Sequence, residues 1–430
     1  MKYLFEIVNK VKKSVYIKNL TILAGSTVIS RLIYVFSIPI ISRLYNPDSF
    51  GILSVYVSLV SFILIMSSLN YEAAIPIAKD DEEAINLIFL CIFILLSIIV
   101  VITVLIYING GYLLTKVSGN HLIKYRVLFL LSIFAGSLFL ILNWWFIRKE
   151  NYKIIANRKI MQSLFQSLCQ VLFPFFIKGP TGLLVGDSIG RSTGTLSMLK
   201  EFIKYIKEKQ ITVSVNKLKN VSVKFNKFPK FGLLSIILHR ALFYLPPVLL
   251  AKYFGNEVAG YYGLVNQVII VSMEALNLSI SQIFYSESSK LIHNDKDKLF
   301  NLFILTLRRT FMISFIPMTL LLLFGPWIFQ ATLGEKWYQA GIYARLLSIP
   351  FLIMFTVGPV FTIISILQKQ KIQLVADFSG LFLLLFGFFE IQKNNCSDKI
   401  IILICGVSIA VKYLLLLIIS IVSIKSYANE

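Results

Sequence analysis

Runs of about twenty predominantly apolar residues recur from one end of this chain to the other, and a helix of that length crosses the hydrocarbon of a bilayer. Twelve such runs can be read, at about 20–41, 50–71, 84–108, 127–147, 160–177, 181–199, 231–251, 259–284, 301–324, 340–367, 374–391 and 399–424. Segments in lipid must satisfy their own backbone groups, which leaves helices or closed barrels. Barrel strands alternate in polarity and are only about ten residues long. The pattern therefore predicts an all-α fold, a polytopic transmembrane helical bundle of about twelve spans. Composition agrees: 57% of the 430 residues are hydrophobic and 15% are charged, leaving more apolar surface than one soluble core of this length would hide.

The net charge of +21 reads first as orientation. Cations gather in 1–18, in the cluster Arg148, Lys149, Lys153, Arg158 and Lys159, and in the stretch 200–230. The intervening gaps, such as "KGP" and "KYFGNE", are short and poor in cations. The bias toward alternate loops places both termini in the cytoplasm. The basic residues are not presented on a folded soluble domain, so nucleic acid is not an expected partner. Cys91, Cys169, Cys396 and Cys405 form no CxxC, and three of them lie in apolar runs. Neither a metal site nor a disulfide framework is expected, and no cofactor. The opening "MKYLFEIVNKVKKSVYIKN" is basic throughout and reads as an interfacial amphipathic segment, not a cleaved signal peptide.

The basic stretch divides the chain near its middle. The expected organisation is an N-terminal segment 1–19, a lobe 20–199 with spans one to six, a cytoplasmic linker 200–230, a second lobe 231–424 with spans seven to twelve, and a tail 425–430. Shifted by 209 residues, Arg31 falls on Arg240, Arg43 on Lys252, Asp48 on Glu257 and Gly51 on Gly260. Six helices per half is an even number, so the halves enter the membrane alike. The expectation is a parallel repeat about an axis along the membrane normal.

Polar groups inside the spans carry the functional signal. A cation near the centre of a span costs roughly 2.5–3.5 kcal/mol on insertion scales, yet Arg31 and Arg240 occupy equivalent mid-span positions. Ser26, Ser30, Tyr34 and Ser37 fall at three- and four-residue steps beside Arg31, forming a polar stripe. In "LHRALFYLPP", His239, Arg240 and Tyr244 precede Pro246 and Pro247, which are expected to kink or unwind that helix. The sixth span carries Gly182, Gly186, Gly190 and Gly194 at every fourth residue, beside Asp187, Arg191 and Thr195. That is a ridge for close helix packing next to an acid and a base able to pair. The eighth span places Gln267, Glu274, Asn277 and Ser281 on one face.

A bland reading stands beside each of these. Asp187 and Arg191 form a neutral structural pair as readily as a functional one, and His239 fits a packed polar residue better than a metal ligand. Glu72, Arg308 and Arg309 lie near helix ends and can snorkel. The functional reading takes Arg31 and Arg240 as an anion site in a cavity between the two lobes, with Arg191, His239 and Tyr34 as further substrate-binding candidates. The guanidinium fork suits phosphate or pyrophosphate. Asp187 and Glu274 are the carboxylates expected to couple an ion. No catalytic residue is expected.

The stretch "PIISRLYNPDSFGILSVYVSLVSFILIMSSLNYEAAIPIAKDDEEA" resembles the N-terminal signature of bacterial polysaccharide flippases. These are the O-antigen and capsule repeat-unit translocases of the multidrug/oligosaccharidyl-lipid/polysaccharide exporter superfamily. "LPPVLLAKYFGNEVAGYYGLVNQV" and "FGPWIFQATLGEKWYQAGIYARLLSIP" resemble later landmarks of the same family. The resemblance implies a two-lobed bundle in the bacterial cytoplasmic membrane with a cationic cavity. It implies alternating-access transfer of undecaprenyl-pyrophosphate-linked oligosaccharide between leaflets, coupled to a proton or sodium gradient, so that membrane lipid and a coupling cation are partners. A polysaccharide polymerase and a chain-length regulator are further partners it suggests. The family has no invariant catalytic motif, and only the cationic cavity carries over, to Arg31 and Arg240 and more weakly to Arg191.

Three rivals remain at this point. A multidrug antiporter of the same superfamily should have an acidic cavity for cationic drugs, whereas mid-membrane cations outnumber acids here. A lipid II flippase shares the fold and an anionic substrate, and only the resemblance disfavours it. A membrane glycosyltransferase or polymerase needs carboxylates on a sizeable external loop, and the external loops are short. A channel would need a filter-like repeat, and none is seen.

Overall fold

The computed structural model describes residues 2–108, 122–209, 213–292, 296–367, 369–394 and 396–429. Among them there is no strand. The first half holds α1 (Lys2–Leu44), α2 (Pro47–Met66), α3 (Asp81–Ile108), α4 (Arg126–Arg148), α5 (Tyr152–Leu172), α6 (Thr181–Ser192), α7 (Thr195–Lys209) and α8 (Val215–Lys224). The second half holds α9 (Leu233–Phe254), α10 (Asn256–Val265), α11 (Val271–Leu291), α12 (Lys296–Leu333), α13 (Tyr338–Val357), α14 (Ile363–Ile366), α15 (Gln370–Asn394) and α16 (Asp398–Asn429). The expected N-terminal segment and first span are one helix, α1; the side chains of residues 2–21, on which amphipathicity would be read, lie outside the described ones.

Nine helices among the described residues are long and apolar enough to cross a membrane. The remaining three of the twelve expected spans, 160–177, 181–199 and 259–284, are where polar residues or breaks interrupt the apolar run. The span read as 181–199 is not continuous. Helix α6 ends at Ser192, Thr193 turns extended, and Gly194 adopts φ +76° before α7 begins. Glycine is the residue that takes this left-handed conformation without a Cβ penalty. The span read as 259–284 is likewise divided, α10 passing into α11 through a wide π turn at Asn266–Ile270. Such turns insert a residue into the helical ladder and concentrate at functional places. In contrast, α9 runs through Pro246 and Pro247 without unwinding. Both prolines are buried, and neighbouring helices let a membrane helix absorb the missing donors.

By packing, the described residues fall into two compact units. The first takes those within Met1–Ser37, Ile63–Thr115 and Asn120–Leu234; the second, those within Ile38–Phe62 and Ser235–Glu430.

In the first unit the basic linker is docked on acids. Lys217 pairs with Glu82, and Lys224 with Glu83, so α8 lies against the acidic first turn of α3. Asp81 receives Arg148, at 3.3 Å, and Lys149. Arg148 also donates to the carbonyls of Ile75, Pro76 and Ala78 at 3.3, 3.1 and 2.8 Å. Carboxylates at a helix start are favoured by the helix dipole, and here they also anchor cations that orientation alone had seemed to explain.

In the second unit α2 crosses α10 at backbone contact. Gly51 faces the Asn256 carbonyl, Gly260 faces the Pro47 carbonyl, and Gly263 faces the Ser54 hydroxyl. A Cβ on Gly260 would stand 2.9 Å from the amide nitrogen of Gly51. Pro47 and Asn256, Gly51 and Gly260, and Ser54 and Gly263 are each 209 residues apart in number. The contacts are therefore reciprocal under the sequence repeat, as at a two-fold interface where residue i meets j and j's equivalent meets i's.

Candidate functional site

The first unit gathers most of the intramembrane charge expected from sequence. Helices α5 and α6 pack through two matched four-residue ladders. Arg158, Gln162, Gln166 and Gln170 run along α5, and the glycines of α6 lie on them. A Cβ on Gly186 would stand 3.0 Å from the Gln166 carbonyl, and one on Gly190 would stand 2.8 Å from the Gln166 Cβ. Just beyond α6, Gly194 covers the Arg158 side chain, where a Cβ would meet Cγ at 2.7 Å. Gln170 Nε2 donates to the Leu183 carbonyl at 3.1 Å. The expected small-residue ridge thus exists, and its function is to let a polar stripe be buried against backbone.

That stripe positions cations. Arg158 is 4% exposed. It donates to Gln162 and, at 2.9 Å, to the Arg191 carbonyl, and its guanidinium lies 3.3 Å above the Phe139 ring centre. Its Nε–H is buried without an acceptor among the described residues. Arg191 donates to Asp187 at 2.6 Å, an i,i+4 pair on α6. Lys159 donates to the Thr27 hydroxyl at 3.0 Å. Arg31, half-buried on α1, acts electrostatically on both Lys159 and Tyr34, and Asp187 also acts on Tyr34. No hydrogen bond or ion pair among the described residues holds the Arg31 guanidinium. Among the described residues the result is four cations, Arg31, Arg158, Lys159 and Arg191, against one acid, Asp187.

The second unit places His239 and Arg240 on α9. Arg240 is exposed. His239 meets two charged residues: its Nδ1 lies 3.1 Å from Asp377 Oδ1 on α15 and 3.0 Å from Lys412 Nζ on α16. Lys412 and Asp377 are themselves 2.8 Å apart, both with fully buried side chains. Glu274 lies on α11, and its side chain lies outside the described ones.

The sequence singles out Arg31 and Tyr34 on one helix and Asp187 and Arg191 on another, and the structure brings the four into one neighbourhood. Sequence reading missed Arg158 and Lys159, assigned to a cytoplasmic loop, and Asp377 and Lys412, not singled out at all. The four-residue spacing 158, 162, 166, 170 was the available signal for the first pair. For the second it was one acid and one base, each alone in a long apolar run.

Among the described residues, helices without strands, nine of them of membrane length, a reciprocal internal repeat and charge buried between helices define a multi-pass membrane protein, and the fold is similar to that of solved MOP-superfamily structures. It is similar to a lipid II flippase, MurJ, in an inward closed conformation, with TM-score 0.73 and 13% identity over 95% of this chain and 90% of that one. It is similar to a multidrug resistance MATE family transporter in an inward-facing conformation, with TM-score 0.70 and 14% identity over 93% and 96%. It is also similar to a MOP-superfamily transporter from Pyrococcus furiosus whose binding pocket is described as reversed in polarity, with TM-score 0.57 and 14% identity over 96% of both chains. No curated protein matches the chain. The polysaccharide biosynthesis protein family matches residues 40–341, and the chain belongs to that family.

Proposed function

We propose that this protein is a lipid-linked oligosaccharide flippase. It moves an undecaprenyl-pyrophosphate-linked polysaccharide repeat unit across the bacterial cytoplasmic membrane by alternating access, with both termini in the cytoplasm. The observation that carries this reading is the cationic cluster of the first unit, above all Arg31, which no described side chain neutralises. A guanidinium left unpaired within a span is costly and is compensated when an anion binds it. The planar fork suits phosphate oxygens, and the pyrophosphate of a polyprenyl carrier is an anion that reaches membrane depth. Membership of a polysaccharide biosynthesis family supports a glycan cargo. Arg191, held by Asp187, and Tyr34 complete the proposed phosphate site. Arg240 is the counterpart cation of the second unit, with His239 beside it.

The same cluster weighs against a multidrug antiporter, because a field of four cations to one acid repels cationic drugs. Coupling to a proton or sodium gradient belongs to the proposal, with Asp187 and Glu274 as the carboxylates to examine. Polymerase and chain-length regulator are the partners that would receive the product. The direct test reconstitutes the protein in vesicles and follows transfer of a fluorescent undecaprenyl-pyrophosphate oligosaccharide between leaflets. Transfer that is absent with wild-type protein, or unaffected by removing the pyrophosphate, refutes the reading.

A further inference from the structure

The second unit contains a trio of charged and titratable side chains in which only His239 borders the proposed anion site, and Asp377 and Lys412 have no part in it. Asp377 Oδ1, His239 Nδ1 and Lys412 Nζ stand 2.8, 3.0 and 3.1 Å from one another in pairs. The side chains of Asp377 and Lys412 are fully buried, whereas that of His239 is 24% exposed. Phe243 and Tyr413 present their rings to the ammonium at 5.5 and 5.6 Å, and Phe361 stacks on the imidazole. The further charge acting on His239 and Lys412 is Arg240, next to His239 on α9. The second carboxylate oxygen of Asp377 is buried with no hydrogen-bond partner among the described residues.

These distances cannot all be hydrogen bonds in one protonation state. Nδ1 either carries a proton and donates it to the carboxylate, or offers its lone pair to the ammonium. With Nδ1 bare, Lys412 donates to both acceptors, and the trio is neutral. With a proton added to Nδ1, the imidazolium donates to Asp377 and faces the ammonium cation at 3.0 Å. That state bears one net positive charge in a dry setting, where like charges repel strongly. The repulsion is relieved when α9 shifts against α16, and α9 carries Arg240. A carboxylate with one unpartnered oxygen holds capacity for such a donor. His239 is the part-exposed member, the one through which a proton can enter from outside the trio.

We propose that His239, Asp377 and Lys412 form a proton-binding site, loaded and unloaded through His239, whose occupancy sets the position of α9. Its role in transport rests on the flippase reading above; its existence as a proton site does not. Lys412 serves as a tethered cation that keeps Asp377 ionised, so the exchangeable charge is the one on the imidazole. The site is distinct in kind from a lone carboxylate such as Asp187.

Two measurements test this on the full-length protein. Infrared difference spectra between acid and neutral pH are recorded in vesicles of phosphatidylethanolamine and phosphatidylglycerol. One set of imidazole bands, with the accompanying shift of an ionised carboxylate stretch, is expected in wild type and is expected to be missing from His239→Gln, which leaves the Asp377–Lys412 pair in place and the 21 acids and the other two histidines unchanged apart from Asp377's lost partner. Identical spectra for the two overturn the proposal. The second measurement is surface polysaccharide in cells carrying His239→Gln or the double variant Asp377→Asn/Lys412→Met, normalised to membrane level. A buried pair replaced by neutral residues is often tolerated by the fold, so the double variant should reach the membrane yet export about tenfold less or worse. Wild-type export by both variants means that the trio is a structural tie and sinks the coupling role. If the double variant fails to reach the membrane, His239→Gln alone decides. If wild type itself restores no polysaccharide, the flippase reading fails, and the infrared arm still decides whether the proton site exists.

Discussion

Gly51 and Gly260, 209 residues apart, meet backbone to backbone where α2 crosses α10, so that a Cβ on Gly260 would stand 2.9 Å from the Gly51 nitrogen. Each glycine also faces a carbonyl that is the other's equivalent under the repeat, Asn256 for Gly51 and Pro47 for Gly260. Backbone atoms cannot swing away as a side chain would. Gly51→Ala or Gly260→Ala should therefore lower stability by about 1–3 kcal/mol, the ordinary cost of overpacking. The two changes act on one contact, so the double variant should lose less than the sum. Thermal unfolding in detergent measures both effects, and unchanged melting in either single variant contradicts the crossing.

Gly194 tests the junction between α6 and α7. Its φ of +76° would cost an L side chain roughly 1–2 kcal/mol. A Cβ there would also press on Arg158. Gly194→Ala should destabilise the protein and disturb Arg158, whereas Gly179→Ala, also at positive φ but with open space around it, should show the backbone cost alone. Equal losses in the two would mean that Gly194 does not seat Arg158.

The docked linker makes a salt-dependent prediction. Lys217–Glu82 and Lys224–Glu83 are partly exposed pairs, each worth about 0.2–1 kcal/mol. Reversing Glu82 and Glu83 to Lys should loosen α8 from α3 and speed proteolysis within 213–230. High salt should produce a weaker form of the same change in the wild type. Cleavage that is indifferent to both would show that α8 is held by other contacts.

The legible and illegible parts of this molecule divide by the range of the signal. The helical bundle was legible in the apolar runs, because bilayer thickness sets one length for every span, and nine of the twelve runs are membrane-length helices among the described residues. The repeat was legible because Arg31, Asp48 and Gly51 keep one offset to Arg240, Glu257 and Gly260, and the glycines of that set turn out to touch. The break at Gly194 was misread because its place in a four-residue series looked helical. Lys159 was misread because α5 begins at Tyr152, eight residues before the apolar run at 160, and carries two loop-like cations into the cluster. Asp377 and Lys412 could not be paired from spacing: they lie on different helices, and the distance between helices is not written in the interval between residues.

The last prediction concerns Arg31. Among the described residues no acid is ion-paired to its guanidinium, so Arg31→Ala breaks no described salt bridge, and removing a mid-span cation eases insertion. The variant should reach the membrane normally and lose export. Arg31→Lys keeps the charge and loses the bidentate fork, so export should fall only in part. Lys159→Ala should weaken export without abolishing it, because Lys159 adds to the field but is already tied to Thr27. Arg158→Ala should instead lower membrane level, since Arg158 bridges α5 to the Arg191 carbonyl and its loss leaves buried acceptors unmet. The readout is surface polysaccharide divided by membrane protein for each variant. Normal export by Arg31→Ala would show that the unpaired guanidinium binds no cargo, and loss of Arg31→Ala from the membrane would show that its role is structural.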